Sequence, residues 1–396
     1  MRKLCEIFQE PINGEWGNED TTGSGIPVLR TTNFTNEGVI NYSNVVTRLI
    51  NKKNINEKFL VSGDIIIEKS GGSSNQPVGR VVFFDGEENK YLCNNFTSIL
   101  RLKDKKSNSP KYVFYYLFAK HRNGETIKYQ NKTTGILNLK LDKYIAEMRI
   151  NLPLIKTQEQ IVKTLDLTLE LLTLRKQQLA ELDNFIKAVF YNMFGDPMKN
   201  DKGWDKMKLS NCCYVNPRKS EIHYFNDDLD VSFISMASVS VDGSIDTSEV
   251  KKYKEVKKGF TYFYENDVLF AKITPCMENG KGAIARGLKN SIGFGSTEFH
   301  VLRPKKGISN SEWLYYLTTL PIFREIAEKS MTGSAGQKRV PASFFDKYIV
   351  PLPPLSLQDK FADIVAKTEE QKSIVKKAIA DTQLLFDSLM SQYFDQ

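Results

Sequence analysis

Apolar positions along the chain follow two different rhythms. Ile161, Leu165, Thr168, Leu172, Arg175, Leu179, Leu182, Ile186, Val189 and Met193 succeed one another at alternating intervals of 4 and 3, and eight of the ten are apolar. Phe361, Val365, Thr368, Lys372, Val375, Ile379, Thr382, Phe386, Leu389 and Tyr393 repeat that spacing 200 residues later, with seven apolar. Alternating steps of 3 and 4 are the heptad seam of a coiled coil. The pattern therefore predicts two helices of ~37 residues, each ~55 Å long at 1.5 Å per residue. The rest of the chain carries short apolar runs separated by Gly and Asn turns, such as Ile65 to Ile67, with a helix or two in each stretch. Short β-rich runs mixed with isolated helices predict an α+β globule before each long helix.

The repeat extends beyond the helices. INLPLIKTQEQI from Ile150 and VPLPPLSLQDKF from Val350 align without a gap, pairing Leu152, Pro153 and Gln158 with Leu352, Pro353 and Gln358. In the globules, GDIIIEKSGGSSNQPVGRVVFF (63–84) parallels NDVLFAKITPCMENGKGAIARG (266–287), and TSILRL (97–102) parallels TEFHVLRP (297–304). VFYYL (113–117) matches WLYYL (313–317), and TTGILNLKLDKY (133–144) matches TGSAGQKRVPASFFDKY (332–348). The expected order is globule, helix, globule, helix: a first domain over 1–150, a helix over 151–196, a second domain over 197–350 and a helix over 351–396. Gly195-Asp196-Pro197 supplies the stop signal after the first helix.

Composition narrows the function. The 396 residues are 41% hydrophobic and 26% charged, as expected of a folded globular protein. No apolar run approaches the ~20 residues of a membrane helix. The opening MRKLCEIFQEPING has no apolar core, so no export is expected and a cytoplasmic location is. Cys5, Cys93, Cys212, Cys213 and Cys276 form no CxxC pair, and with three histidines there is no zinc spacing. The net charge of +8 is uneven: residues 1–150 hold 22 Lys and Arg against 16 Asp and Glu, and residues 201–350 hold 22 against 18. The intervening 151–200 are balanced and 351–396 are slightly acidic. Two basic globules suggest a polyanionic partner.

Taken in order, NLPLIKTQEQI (151–161), PLPPLSLQDKF (351–361), LDNFIKAVFYNMFGD (182–196), IPVLRTTNF (26–34), SGDIIIEKSGGS (62–73) and TGSAGQKRVPASFFDKYIVPLPPL (332–355) resemble the specificity subunits of type I restriction–modification systems over nearly the whole chain. The resemblance implies two target recognition domains, each reading half of a bipartite double-stranded DNA target. It implies two long helices that pair as an antiparallel coiled coil in a pseudo-twofold repeat and hold the domains apart. It implies two modification subunits bound along the helices and a restriction subunit as a further partner. S-adenosylmethionine, ATP and Mg would belong to those partners, and this chain would carry no cofactor or metal. Related readings are a specificity subunit working with a fused restriction–modification enzyme, and a coiled-coil scaffold that binds no DNA.

Catalytic signatures are missing from the sequence. There is no Asn/Asp-Pro-Pro-Tyr/Phe methylase motif and no GxxxxGK[ST] loop. Gly293-Phe294-Gly295 is expected to be a β-turn, and Glu88-Asn89-Lys90 a hairpin turn, so that Asp64 near it makes no nuclease site. His121, His223 and His300 are expected to be surface or packing residues, and Tyr115, Tyr116, Tyr315 and Tyr316 core residues. Base reading needs polar side chains on projecting loops, and phosphate grip needs Lys, Arg, hydroxyls and free amides. In the first domain these requirements select Lys69, Ser70, Ser73 and Asn75, then Arg30, Thr31, Thr32 and Asn33, then Lys132 and Thr133. Their counterparts in the second are Lys272 and Thr274, Lys281, and Gln337, Lys338 and Arg339.

Overall fold

The computed structural model describes residues 1–73, 75–133, 136–219, 225–334 and 336–395, without the side chains of Lys132 and Thr133. His223 lies outside the described residues. The architecture is α+β, with two helices of 40 residues, Ile155–Phe194 and Leu355–Phe394. Two compact units divide the chain: Met1–Lys176 with Ala378–Gln396, and Gln177–Lys377. Each unit thus holds one globule and half of each long helix.

The first unit begins and closes on one pairing, Arg2–Lys3 antiparallel to Arg149–Ile150 just ahead of the long helix. One sheet runs in the order Ile12–Asn13, Thr97–Leu100, Ile65–Glu68, Val81–Phe83. A second sheet contains Ile26–Leu29 paired parallel to Leu92–Cys93. The second unit repeats the plan. Lys206–Lys208 pairs with Ile349–Pro351. Cys213–Val215, Phe299–Pro304, Val268–Ala271 and Gly282–Ile284 form a sheet of the same order. Asp230–Ile234 pairs parallel to Ile292–Gly295.

Gly293-Phe294-Gly295 is therefore strand and not the expected turn. Its glycines serve packing: a Cβ on Gly293 would lie 2.0 Å from the Phe263 ring, and one on Gly295 would lie 2.2 Å from the Ile234 carbonyl oxygen. A ring and a neighbouring backbone fill the space that side chains would need.

A buried ion pair recurs at the same place in both units. Arg101 donates through Nε and Nη2 to the two carboxylate oxygens of Asp64 at 2.8 and 2.7 Å. Arg303 does the same to Asp267, both at 2.8 Å. The backbone N–H groups of Val61 and Tyr264 supply a further bond to each carboxylate. Asp64 is thereby a structural anchor, since a buried carboxylate is tolerated when paired and hydrogen-bonded.

The heptad seam is buried at Leu165, Leu172 and Ile186 and at Phe361, Val365 and Phe386, whereas in the last turns of the two helices the buried positions shift by one, from the half-buried Val189, Met193, Leu389 and Tyr393 to Phe190, Phe194, Met390 and Phe394. In the first unit Leu165 on one helix and Phe386 and Met390 on the other are buried in the core that also holds Tyr112, Tyr115 and Tyr116. In the second unit Phe190 and Phe194 stack edge-on against Phe361, with Tyr316 on its other side. Within each unit an early stretch of one helix meets a late stretch of the other, so the pairing is antiparallel. Polar seam positions are also satisfied. Arg175 Nη1 donates to the Ala378 carbonyl at 2.6 Å and to the Thr382 hydroxyl. Buried Lys372 bridges Asp183 and Glu369, each at 2.7 Å. Single polar seam residues fix register, because a slipped pairing leaves them unpaired.

One glutamine fastens each long helix to its globule. Gln158 and Gln358 have no exposed surface. Gln158 Oε1 accepts the Ser109 N–H at 2.9 Å, and its Nε2 donates to the carbonyls of Pro153 and Ser107 at 2.8 and 3.3 Å. Gln358 Oε1 accepts the Asn310 N–H at 3.1 Å, and its Nε2 donates to Pro353 and Ile308 at 2.9 and 3.0 Å. Ser109 and Asn310 cap the globule helices Pro110–Arg122 and Ser311–Thr319. Replacing Gln358 by Ala strands three backbone groups in a dry site. It should destabilise the second unit by about 1–3 kcal/mol per group left unsatisfied. Chemical denaturation of Q358A beside Q358E measures it, and an unchanged midpoint for Q358A would refute the account.

Candidate nucleic-acid interface

Loop segments that are distant in sequence are stitched together by backbone bonds in both units. In the first, Ser70–Gly72 pairs with Ile136–Leu139, which pairs in turn with Gln130–Thr133. The Lys69 loop and the paired strands Gln130–Thr133 and Ile136–Leu139 thus share a sheet. Lys69 N–H donates to the Phe96 carbonyl at 2.9 Å, and its own carbonyl accepts from Leu139 at 2.8 Å. In the second unit Lys272 N–H donates to the Glu298 carbonyl at 2.9 Å, and its carbonyl accepts from Val340 at 2.9 Å. Thr274 N–H adds a bond to the Lys338 carbonyl at 3.0 Å. The two lysines hold equivalent places, each where three segments converge.

The Arg30 turn joins the first cluster through Arg80. That guanidinium pairs with the buried Glu68 at 2.8 Å and donates to the Thr31 carbonyl at 3.2 Å. In the second unit Lys281 Nζ reaches the Met236 carbonyl at 3.0 Å, in the corresponding turn after Asp230–Ile234.

The expected contact residues divide by what their side chains already do. Thr32, Ser73, Asn75, Gln337 and Lys338 are exposed. Lys69 is half-buried with Nζ on Asn13 Oδ1 at 2.5 Å, and burial lowers its pKa from the ordinary lysine value. Ser70 Oγ donates to Asn138 Oδ1 at 2.6 Å, and Thr274 Oγ1 to Glu278 at 2.7 Å. Arg30 donates through Nη2 to the Asn44 carbonyl at 3.1 Å. Asn33 departs from expectation. It is buried, its Oδ1 accepts the Arg30 N–H at 2.9 Å, and its Nδ2 donates to the Asn41 carbonyl at 2.9 Å. Its side chain braces the turn and does not face outward. The backbone of Lys132 and Thr133 is strand, and their side chains lie outside the described residues.

The profile of the type I restriction modification DNA specificity domain fits residues 1–184 and again 201–381. The chain belongs to this family. A 166-residue stretch is 45% identical to the type I restriction enzyme EcoAI specificity subunit of Escherichia coli, covering 41% of this chain and 28% of that protein. Over 173 residues, 43% of this chain and 28% of the relative, it is 41% identical to the EcoEI specificity subunit of the same organism. The aligned stretch thus spans less than a third of either relative. In fold, the chain is similar to a crystal structure of a type I restriction–modification S subunit from M. genitalium, with a TM-score of 0.55 and 16% identity over 99% of this chain and 95% of that one.

Residues at these loops that sequence reasoning passed over are Phe96 and Glu298. Phe96 is 42% exposed at the tip before Thr97–Leu100. Glu298 holds the equivalent place and pairs with Arg339. The alignment of TSILRL with TEFHVLRP, carried back past its first residue, sets Phe96 opposite Glu298. Asn13 and Asn216 were missed as well. Asn216 accepts the Val301 N–H at 3.0 Å and lies 3.0 Å from His300 Nδ1.

His300 is buried behind this cluster, with Nε2 2.8 Å from the Val340 carbonyl. The carbonyl can only accept, which assigns the proton to Nε2 and leaves Nδ1 to accept from Asn216. Burial pushes its pKa from 6.5 down to about 4. Above pH 6.5 the ring is neutral folded or unfolded and contributes no pH dependence. As pH falls below 6.5 the unfolded chain takes up a proton that the folded ring refuses. Stability should therefore drop between about pH 6.5 and 4 and level off below, by as much as about 3 kcal/mol. His121 is lowered to about 4 by burial and acts in the same sense in the first unit. The check is denaturation across that range for wild type and H300Q: the variant should show the shallower slope.

Proposed function

We propose that this chain is the DNA-recognition subunit of a type I restriction–modification complex and that each unit reads one half of a bipartite duplex target. The observation that carries the reading is the repeated convergence of a lysine, a β-tip residue and a third backbone segment, held by the same backbone bonds in both units but furnished with different side chains. A shared scaffold with unlike side chains suits two half-sites of unlike sequence. Lys69, Lys272, Lys281, Lys338 and the loop hydroxyls supply phosphate contacts, and polar side chains at the loop tips supply base contacts.

The chain does no chemistry of its own in this reading. Among the described residues no group of His, Cys, Asp and Glu is placed to hold a metal. No described helix is long and apolar enough to cross a membrane. Modification subunits bring S-adenosylmethionine and methylate adenine, and a restriction subunit brings ATP, Mg and cleavage. The modification subunits bind the outer faces of the long helices. Leu167, Leu171 and Leu174 lie one position off the seam and are 55%, 41% and 54% exposed. Ile374, Leu384 and Leu385 are exposed on the other helix. A row of leucines open to water on a helix whose opposite face is already packed marks a protein contact.

Expression with the cognate modification subunit, followed by methylome sequencing, should reveal one bipartite adenine-methylated motif, whereas the chain alone should transfer no methyl group. Exchange of residues 201–350 for the matching block of another such subunit should change one half of the motif and leave the other. Binding should fall steeply with salt, as phosphate contacts require. A hybrid with both halves altered, or a motif methylated without this chain, would defeat the proposal.

A further inference from the structure

Arg339 is clamped by a carboxylate as Arg80 is by Glu68, but it stays open to solvent where the Arg80 side chain is largely covered. Arg339 Nε and Nη2 donate to the two oxygens of Glu298, both at 2.9 Å, and Nη1 donates to the Gln337 carbonyl at 2.9 Å. Its backbone is pinned too, by exchanged bonds with Thr332 at 2.8 and 3.0 Å, beside the Thr274–Lys338 contact. The side chain nevertheless remains 41% exposed. A guanidinium has five N–H bonds. Among the described residues three are spent, which leaves one on Nη1 and one on Nη2.

From this geometry we infer that Arg339, buttressed by Glu298, is the guanine-reading residue of the second unit. The inference rests on the DNA-recognition role proposed above. One N–H on each terminal nitrogen can meet the N7 and O6 acceptors that guanine presents in the major groove, the commonest specific contact of arginine with DNA. The carboxylate fixes the plane of the fork, so little rotamer freedom is lost when the base arrives. Phosphate grip is disfavoured at this position. The Glu298 charge offsets that of Arg339 and would stand close to any phosphate the arginine held. The exposed Lys338 next to it, with no ion pair among the described residues, is better suited to that task. In the first unit the Glu298 position is Phe96, so no arginine there is buttressed from this point, and the first half-site is read by different chemistry.

The test uses the complex with its modification partner and the motif found by methylome sequencing, with the second unit's half identified by the block exchange. Each guanine of that half is replaced in turn by 7-deazaguanine, which lacks the N7 acceptor. One such replacement should weaken wild-type binding about five-fold or more. R339A should bind the natural and 7-deaza duplexes equally at that base while still discriminating in the first half-site. R339K, which keeps the charge without the fork, should lose the same discrimination, and E298Q should reduce it. A thermal melt of each variant complex verifies folding. A second half-site without guanine would overturn the inference. So would an R339A complex that weakens evenly on all sequences with a smaller salt slope, the signature of a phosphate contact. Absence of any sequence-specific methylation with this chain would instead overturn the DNA-recognition role itself.

Discussion

The head of each long helix is held by an amide with no freedom left. Gln158 and Gln358 each join three backbone segments: the proline turn that starts the long helix, the loop before the globule helix, and that helix's capped first turn. An amide offers two donors and a carbonyl acceptor, and each residue uses both kinds of group. No apolar residue of equal volume could take the place, because the backbone groups it faces would lose their partners in a dry interior. The closing strand pairs, Arg149–Ile150 and Ile349–Pro351, lie immediately upstream on the chain. Sheet closure, helix start and helix cap are consequently fixed together, and the helix direction relative to its own globule follows from them.

Much of this was legible because it obeys a short period. The 3,4 seam from Ile161 to Met193 needs no tertiary knowledge, since burying that stripe is the only way to remove it from water. The α+β globules followed from short apolar runs and turn residues. Gly293-Phe294-Gly295 was not legible. Glycine in a strand is justified only by what lies across from it, and the Phe263 ring is 30 residues away. The Asp64–Arg101 and Asp267–Arg303 pairs were equally hidden, although both carboxylates stand at matching places in the repeat. A lone Asp before an apolar run reads as a turn residue until its distant arginine is known. The seam's own polar members, Arg175 and Lys372, find partners on the other helix, and heptad spacing does not name those partners.

The loops were found by composition and their side chains were not. Small and polar residues after a buried strand identified the Lys69 and Lys272 loops, and the structure brings each beside a distant backbone segment. Composition does not tell an asparagine that braces a turn from one that faces outward, and Asn33 is the former. Nor does it single out Phe96 and Glu298, whose carbonyls accept from the two equivalent lysines.

That last pairing explains how one scaffold can carry two differently furnished loop clusters. The bonds that assemble each cluster run from backbone to backbone: Lys69 to Phe96 and Leu139 in one unit, Lys272 to Glu298 and Val340 in the other. A backbone bond is indifferent to the side chain on the same residue, so an aromatic ring and a carboxylate occupy one position without disturbing the frame. The burdens that do depend on side chains, the buried Asp–Arg pairs and the glutamines, are carried by the same residue types in both units. Substitutions at the tips therefore cost little stability, whereas substitutions at the anchors cost the fold. Side chains free to vary on a frame that cannot is the physical condition for a surface to change its chemistry while the protein beneath it stays the same.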